Sequence, residues 1–345
     1  VKLVMTLFVR NEEDILEANL RYHLERGVDF IIATENRSED ATPEILAEHA
    51  RAGHLHLIRH AQDDYAQPQA MTRMARLAAE KFGADWVINN DADEFWWPRE
   101  GSLRDAFSSV PPGYGAFAAY RWNFAPRPED GSSFLLRMDV VEVPDVEQLR
   151  DRKLRRASGA RHFMVPKVAH RAASDVEITD ASHGVAGTGL DFAHGWQPVE
   201  ILHYPLRSYA QFEAKVRNGG RALERHPDPD FNRHLRRLYE LYREGGLPDH
   251  YFAQVLDDAA VDSGIEDGRL LRDRRLRAFL NREDEESVDG TEPRARAARA
   301  IAIGEYEKWV AEKRLSGLTR RLEKRERRLE EVRSRLERER ARKRK

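Results

Sequence analysis

The chain has 345 residues, enough for one large domain or two ordinary ones, and 34% of them are charged although the formal net charge is only −2. The absence of cysteine excludes disulfides, thiolate metal sites and cysteine nucleophiles. The near-neutral total conceals an asymmetry: residues 313–345 hold 16 Lys/Arg against 6 Asp/Glu, so a body of net −12 carries a basic tail of net +10.

Residues 2–9 form a short β-rich run, followed by a helical pattern over 12–26 in which Ile15, Leu16, Leu20 and Leu24 share one face and Gly27 supplies the stop. A second strand is expected at 28–34. Thr42, Pro43 and Glu44 then read as an N-cap, a first-turn proline and an early acid for a helix ending near Gly53. A third strand at 54–60, a third helix at 68–82 and a fourth strand at 84–90 complete four strand-helix alternations with short connections. That pattern predicts an α/β fold with a parallel sheet and helices on both faces.

Ligands of such sheets gather at the carboxyl ends of the strands. The polar clusters there are Arg10-Asn11-Glu12, residues 34–42, Asp64 within 61–65, and Asn89-Asn90-Asp91-Ala92-Asp93-Glu94. Three carboxylates within four residues repel one another, which points to a cation among them. The glycine patterns of a dinucleotide cradle and of a P-loop are both missing. Hard oxygen ligands at Asp91 and Asp93 suit Mn²⁺ or Mg²⁺.

The run Glu35-Asn36-Arg37-Ser38-Glu39-Asp40-Ala41-Thr42, together with Asp91-Ala92-Asp93 after the fourth strand, resembles family 2-type glycosyltransferases of the GT-A fold. The unit Asp91-Ala92-Asp93-Glu94-Phe95 and the segment 201–220 resemble a bacterial branch of them. Ser38, Asp40 and Thr42 match the family's loop, while its two leading acids are here Glu35 and Asn36. The resemblance covers residues 1–225, as a nucleotide-binding half (1–100) and an acceptor half (101–225). It implies a metal-dependent, inverting transfer of a sugar from a nucleotide-diphosphate donor to a saccharide or lipid-linked acceptor, in glycan or polysaccharide biosynthesis.

On that resemblance the Mn²⁺ or Mg²⁺ ligands are Asp91, Asp93 and His203, with His183 as the second histidine. The donor contacts are Asn11, Glu12, Glu35, Asn36, Ser38, Asp64, Asp91 and Arg207. Asp175, Glu177, Asp180 and Asp191 lie in the acceptor half before His203 and are the choices for the base. Lys215 is either a phosphate ligand or a solvated helical residue, and the tryptophans at 96, 97, 122 and 196 are either packing or sugar platforms. Further strands are expected at 116–124, 134–143, 163–170 and 199–203. The alternatives are an Asp-x-Asp phosphohydrolase, whose pair ordinarily follows the first strand, and a non-catalytic scaffold.

Residues 226–292 read as a helical extension and 293–345 as one charged helix. Leu315, Leu318, Leu322, Leu329, Val332 and Leu336 recur in steps that predict a coiled coil and a homo-oligomer, against a solitary charged helix. The basic end suits anionic membrane head groups, and without interleaved aromatics it argues against nucleic acid. No apolar stretch is long enough for a signal peptide or a membrane span, so the expected location is cytoplasmic, peripheral to the inner face of the membrane.

Overall fold

The structure is a computed structural model. It describes all residues except 62–66, 145–165, 180–182, 194, 196, 227, 229–230, 285–287, 291–292 and 344–345; the side chains of 294, 314 and 329–343 are also outside it. Asp64, Asp180, Trp196 and the seam positions 329, 332 and 336 therefore lie outside the described side chains. So does the start of the strand expected at 163.

Strand β1 (Leu3–Val9) pairs in parallel with β2 (Phe30–Glu35) on one side and β4 (Trp86–Asn90) on the other. β3 (Leu55–Arg59) extends the sheet beyond β2. The period-2 alternation of β1 divides its side chains between two layers. Leu3, Met5, Leu7 and Val9 join Leu16 and Leu20 of α1 (Leu16–Glu25) and Leu46 of α2 (Thr42–Arg51). Val4 faces Met71, Met74, Ala75 and Ala78 of α3 (Gln67–Glu80) on the opposite side. Helices thus cover both faces of a mainly parallel sheet, as the strand-helix alternation requires. Gly27, at φ +105°, ends α1 in a conformation that costs a side-chain-bearing residue energy.

Past β4 the chain departs from simple alternation. β5 (Glu94–Pro98) follows at once, then α4 (Leu103–Ser108), β6 (Ala116–Ala119) and β7 (Arg121–Asn123). The single strand expected at 116–124 is split at Tyr120, with β6 in the main sheet and β7 in a second one. The strand expected at 134–143 begins instead as a turn of helix, α5 (Phe134–Arg137), because the Ser133 side chain accepts from Leu135 N. β8 (Val140–Glu142) follows it. β9 (Lys167–Arg171) runs antiparallel to both β4 and β6. β10 (Glu177–Thr179) and β11 (Gly184–Ala186) make a hairpin, and β12 (Phe192–Ala193) closes a seven-stranded sheet of order β12-β6-β9-β4-β1-β2-β3.

β13 (Val199–His203) lies between β5 and β7 in the three-stranded sheet. Next come α6 (Tyr209–Glu224), α7 (Arg233–Glu244), α8 (Leu247–Phe252) and α9 (Asp258–Glu266). β14 (Leu270–Arg272) pairs with β8, so residues after 225 are not purely helical. α10 (Arg275–Asn281) and the 51-residue α11 (Pro293–Lys343) end the fold. Leu276, Ala302, Ile303, Tyr306 and Trp309 belong to the same core as β1 and α1, so the start of α11 is built into the body. Among the described residues, no helix is long and apolar enough to cross a membrane.

Candidate active site

A single register row assembles the centre of the site. Glu94 pairs with His203 across β5 and β13, and His203 pairs with Asn123 across β13 and β7. Asp93, one residue before β5, gives its carbonyl to Tyr204 N at 2.8 Å. From beneath, Asn19 Nδ2 donates to the carbonyls of Ala92 (2.9 Å) and Glu94 (2.8 Å), which fixes the backbone of the Asp91-Ala92-Asp93 turn. Asn19 is itself held by Asn90, whose Oδ1 accepts from Trp96 Nε1 at 3.0 Å. Trp96, Trp97 and Trp122 are buried, so their role is to pack beneath the site and not to form a sugar platform.

The carboxylates already have cationic neighbours. Lys167 Nζ lies 2.5 Å from Asp91 Oδ2 and 3.6 Å from Glu94 Oε2, and its side chain is 0% exposed. Arg121 Nη1 is 3.2 Å from Glu94 Oε1, and Lys215 Nζ is 3.1 Å from Asp93 Oδ2. Burial pushes the Asp93 carboxyl up, but its cationic neighbours, Lys215 foremost, outweigh it and hold the group well below the usual carboxylate range. For Asp91, Lys167 likewise overcomes burial and lowers the pKa. Burial wins at Glu94, pushed up to about 7 against Lys167.

His203 is the most informative side chain. Its Nδ1 is 2.6 Å from Asn123 Oδ1, and its Nε2 is 3.7 Å from Asp93 Oδ2. Burial pulls its pKa down to about 4, against the pull of Asp93, so the ring is neutral near pH 7. A neutral ring that donates Nδ1–H to Asn123 leaves a lone pair on Nε2, aimed towards a carboxylate. Ligand atoms of Asp93, Glu94 and His203 all lie within 4.8 Å of one another, the one cluster of metal-binding type among the described residues. Glu94 Oε2 is buried without a hydrogen-bond partner. A neutral imidazole nitrogen and two carboxyl groups within this reach make a donor set that fits a divalent cation.

This cluster borders a cavity of about 450 Å³ at the carboxyl edge of the parallel strands. Asn11, Glu12, Asn36, Asp91, Asp93 and His203 all line it, so the structure brings together six of the residues singled out in the sequence. Asn36 Oδ1 is buried and has no hydrogen-bond partner. Asn11, at φ +55°, accepts from Glu39 N and donates its own N–H to Ser38 Oγ. Ser38 N in turn donates to Glu35 Oε1 at 2.5 Å, so Glu35 and Ser38 brace the loop and do not line the cavity. Thr42 is not an N-cap: it is the first residue of α2, and its Oγ1 accepts from Glu12 N at 2.9 Å.

Arg207 is buried away from the cavity lining and holds Glu12 Oε2 at 2.5 Å and Asp14 Oδ2 at 2.7 Å. Burial pushes Glu12 up to about 7 despite Arg207. Asp175, Glu177 and Asp191 are exposed and stand outside the cavity lining. Asp175 accepts from Thr188 N in the loop after β11, and the Asp191 carbonyl accepts from Gly115 N. His183 bonds Pro166 O through Nδ1 and lies outside the metal-type cluster. Lys167, Arg121 and Asn123 are site residues that motif reasoning did not reach. A lysine opening the apolar run of β9 was the available signal for Lys167.

No protein-family model matches the chain, and no curated protein sequence does. Among solved structures it is similar to S. aureus TarS 1–349 in complex with UDP, at 13% identity over 92% of each chain with a TM-score of 0.33. It is also similar to the mannosyltransferase PcManGT from Pyrobaculum calidifontis in complex with GDP-Man and Mn²⁺, at 16% identity over 90% of this chain and 88% of that one, TM-score 0.35. Glucosyl-3-phosphoglycerate synthase from Mycobacterium tuberculosis, in complex with Mn²⁺, UDP and glucosyl-3-phosphoglycerate, matches 35% of this chain at 16% identity and a TM-score of 0.26; the chain spans 44% of that protein's length. At these values the likenesses carry no weight for chemistry, which rests on the cavity itself.

Proposed function

We propose that the chain is a metal-dependent glycosyltransferase of the GT-A, family 2 type, moving a sugar from a nucleotide-diphosphate donor to an acceptor hydroxyl with inversion. The observation that carries this is the pairing of neutral His203 Nε2 with Asp93 Oδ2 at 3.7 Å on the cavity wall. A lone pair and an anionic oxygen facing each other suit a divalent cation, and imidazole favours Mn²⁺ over Mg²⁺. When bound, such an ion stabilises the negative charge that grows on a departing diphosphate.

The remaining roles belong to the chain. Asn123 holds His203 in its ligand tautomer. Lys167 fixes Asp91 and Glu94 and, being fully buried, stays with them. Lys215, whose side chain is 51% exposed, has room to move from Asp93 to a phosphate oxygen. Asn36 Oδ1 and Glu12 offer acceptors to the hydroxyls or imino group of a nucleoside, and Arg207 positions Glu12. The exposed Asp175, Glu177 and Asp191 serve as acceptor base only if the acceptor itself reaches out to them. The phosphohydrolase alternative is disfavoured by position, since β1 ends at Val9 and is followed by Asn11 and Glu12 and not by an Asp-x-Asp pair.

Calorimetric titration of UDP, GDP and their sugar conjugates, with and without Mn²⁺, tests the reading. One nucleotide should bind only with the metal, and Asp93→Asn should weaken it by at least about tenfold. Binding indifferent to both metal and Asp93 would remove the basis for the transferase.

A further inference from the structure

The cavity does not stop at the charged cluster. It continues between α6, α7 and α8 along Leu206, Phe212, Val216, Ala222, Leu235 and Leu238. Four of these residues, Leu206, Phe212, Val216 and Leu238, are also part of a separate apolar cluster completed by Leu247 and Tyr251. Asn232, His234, His250 and Gln254 add polar lining from the α7–α8 side, and His234 is exposed, so the arm opens to solvent.

Two glycines set the position of α7. A Cβ on Gly219 would lie 2.8 Å from Leu235 Cδ2, and one on Gly220 would lie 2.1 Å from Tyr239 Cγ. The close helix approach therefore fixes the leucine wall of the arm in place.

Aliphatic walls cannot hydrogen-bond sugar hydroxyls. A glycan laid against these walls would lose water from its hydroxyls without replacement on that side, whereas a hydrocarbon group would lose only unfavourable hydration. We infer that this arm binds an apolar portion of the acceptor, an alkyl or acyl chain adjoining the hydroxyl that enters the charged mouth. The inference rests on the transferase reading for the identity of the mouth and on the α6–α7–α8 walls for the chemistry of the arm.

The test is calorimetric binding of hexyl β-D-glucoside and methyl β-D-glucoside, below micellar concentration, to the full chain. Two variants act on the arm: Ala222→Trp, which fills it, and Leu235→Gln, a smaller change at a half-buried site. UDP and GDP binding with Mn²⁺ is measured on the same samples. The hexyl compound should bind at least about tenfold tighter than the methyl compound. Either variant that retains its fold should abolish that preference while leaving nucleotide binding as in the wild type. Equal binding of the two glucosides, or a hexyl preference untouched by both variants, overturns the inference. A hexyl preference lost in the variants of a protein that binds no nucleotide supports the apolar arm while the transferase reading alone fails.

Discussion

His23 shows how a single side chain ties stability to pH beneath the site. Its Nδ1 bonds Asn19 O at 2.8 Å and its Nε2 accepts from Trp96 N at 3.2 Å, so the neutral ring satisfies both sides. Burial pulls its pKa down to about 4 from an ordinary 6.5. A depressed histidine contributes stability that is complete above the unfolded pKa and is lost as pH falls from about 6.5 towards 4. His170, lowered to about 4 by burial, acts with the same sign. Urea melts between pH 7.5 and 4.5 should show a loss of about 3 kcal/mol for His23, and His23→Gln should flatten that part of the slope. An unchanged slope in the variant would contradict the assignment. At this scale Asp91 and Asp93 stand out by their spacing and His203 by the resemblance, and all three line the cavity, although Asp91 stands outside the Asp93-Glu94-His203 cluster. Lys167 and Asn123 do not stand out, because their roles arise from strand pairings about 80 residues apart.

At the scale of elements, the first four strands and three helices were legible from short apolar runs, helical period and the glycines that end the helices, because each of these signals is local. The second half was legible in part: the strand expected at 199–203 is β13. By contrast, β5 had no local signal, β7 is split from β6 to join a sheet set by long-range pairing, and α5 owes its helical turn to the Ser133 cap. The α6–α7 pair depends on a feature invisible to propensity, a Gly219-Gly220 step inside a helix. Glycine there costs roughly 1 kcal/mol in helix propensity, and close packing against α7 offsets it. Gly220→Ala should therefore destabilise the fold by about 1–3 kcal/mol in spite of alanine's better propensity, because its methyl meets the Tyr239 ring. A Gly220→Ala protein at least as stable in denaturant as the wild type would show that α7 sits farther from α6 than described.

Across the whole molecule, α11 joins two different roles. Its beginning is anchored by Arg299, which pairs with Asp273, while Arg275 bridges Asp273 at 2.8 Å and Glu200 at 2.5 Å. Arg275 and Arg299 also stack over Trp97 and Trp122, 5.1 and 5.4 Å from the ring centres. This buried ionic cluster joins α11 to β13, the strand that carries His203. Breaking one member would leave buried charge uncompensated. The boundary drawn at 293 in the sequence missed this, since pattern alone cannot tell a docked helix from a free one. Beyond Val310 the helix leaves the core, with Leu315, Leu318 and Leu322 exposed to 67%, 55% and 60%. We propose that a second copy packs on this seam. Removal of residues 311–345 should change Tm by no more than about 2 °C and abolish self-association in sedimentation. A full chain that sediments as a monomer would dismiss the coiled coil.

The most direct measurement is pulsed electron paramagnetic resonance of Mn²⁺ bound to the protein with UDP or GDP. The proposed centre should give a nitrogen coupling from a directly bound imidazole, present in the wild type and absent in His203→Gln. Asn123→Ala, with its tautomer no longer fixed, should retain the coupling at about 10–100-fold weaker metal affinity. A wild-type spectrum with no imidazole coupling, or one unchanged in His203→Gln, would contradict the proposed metal centre.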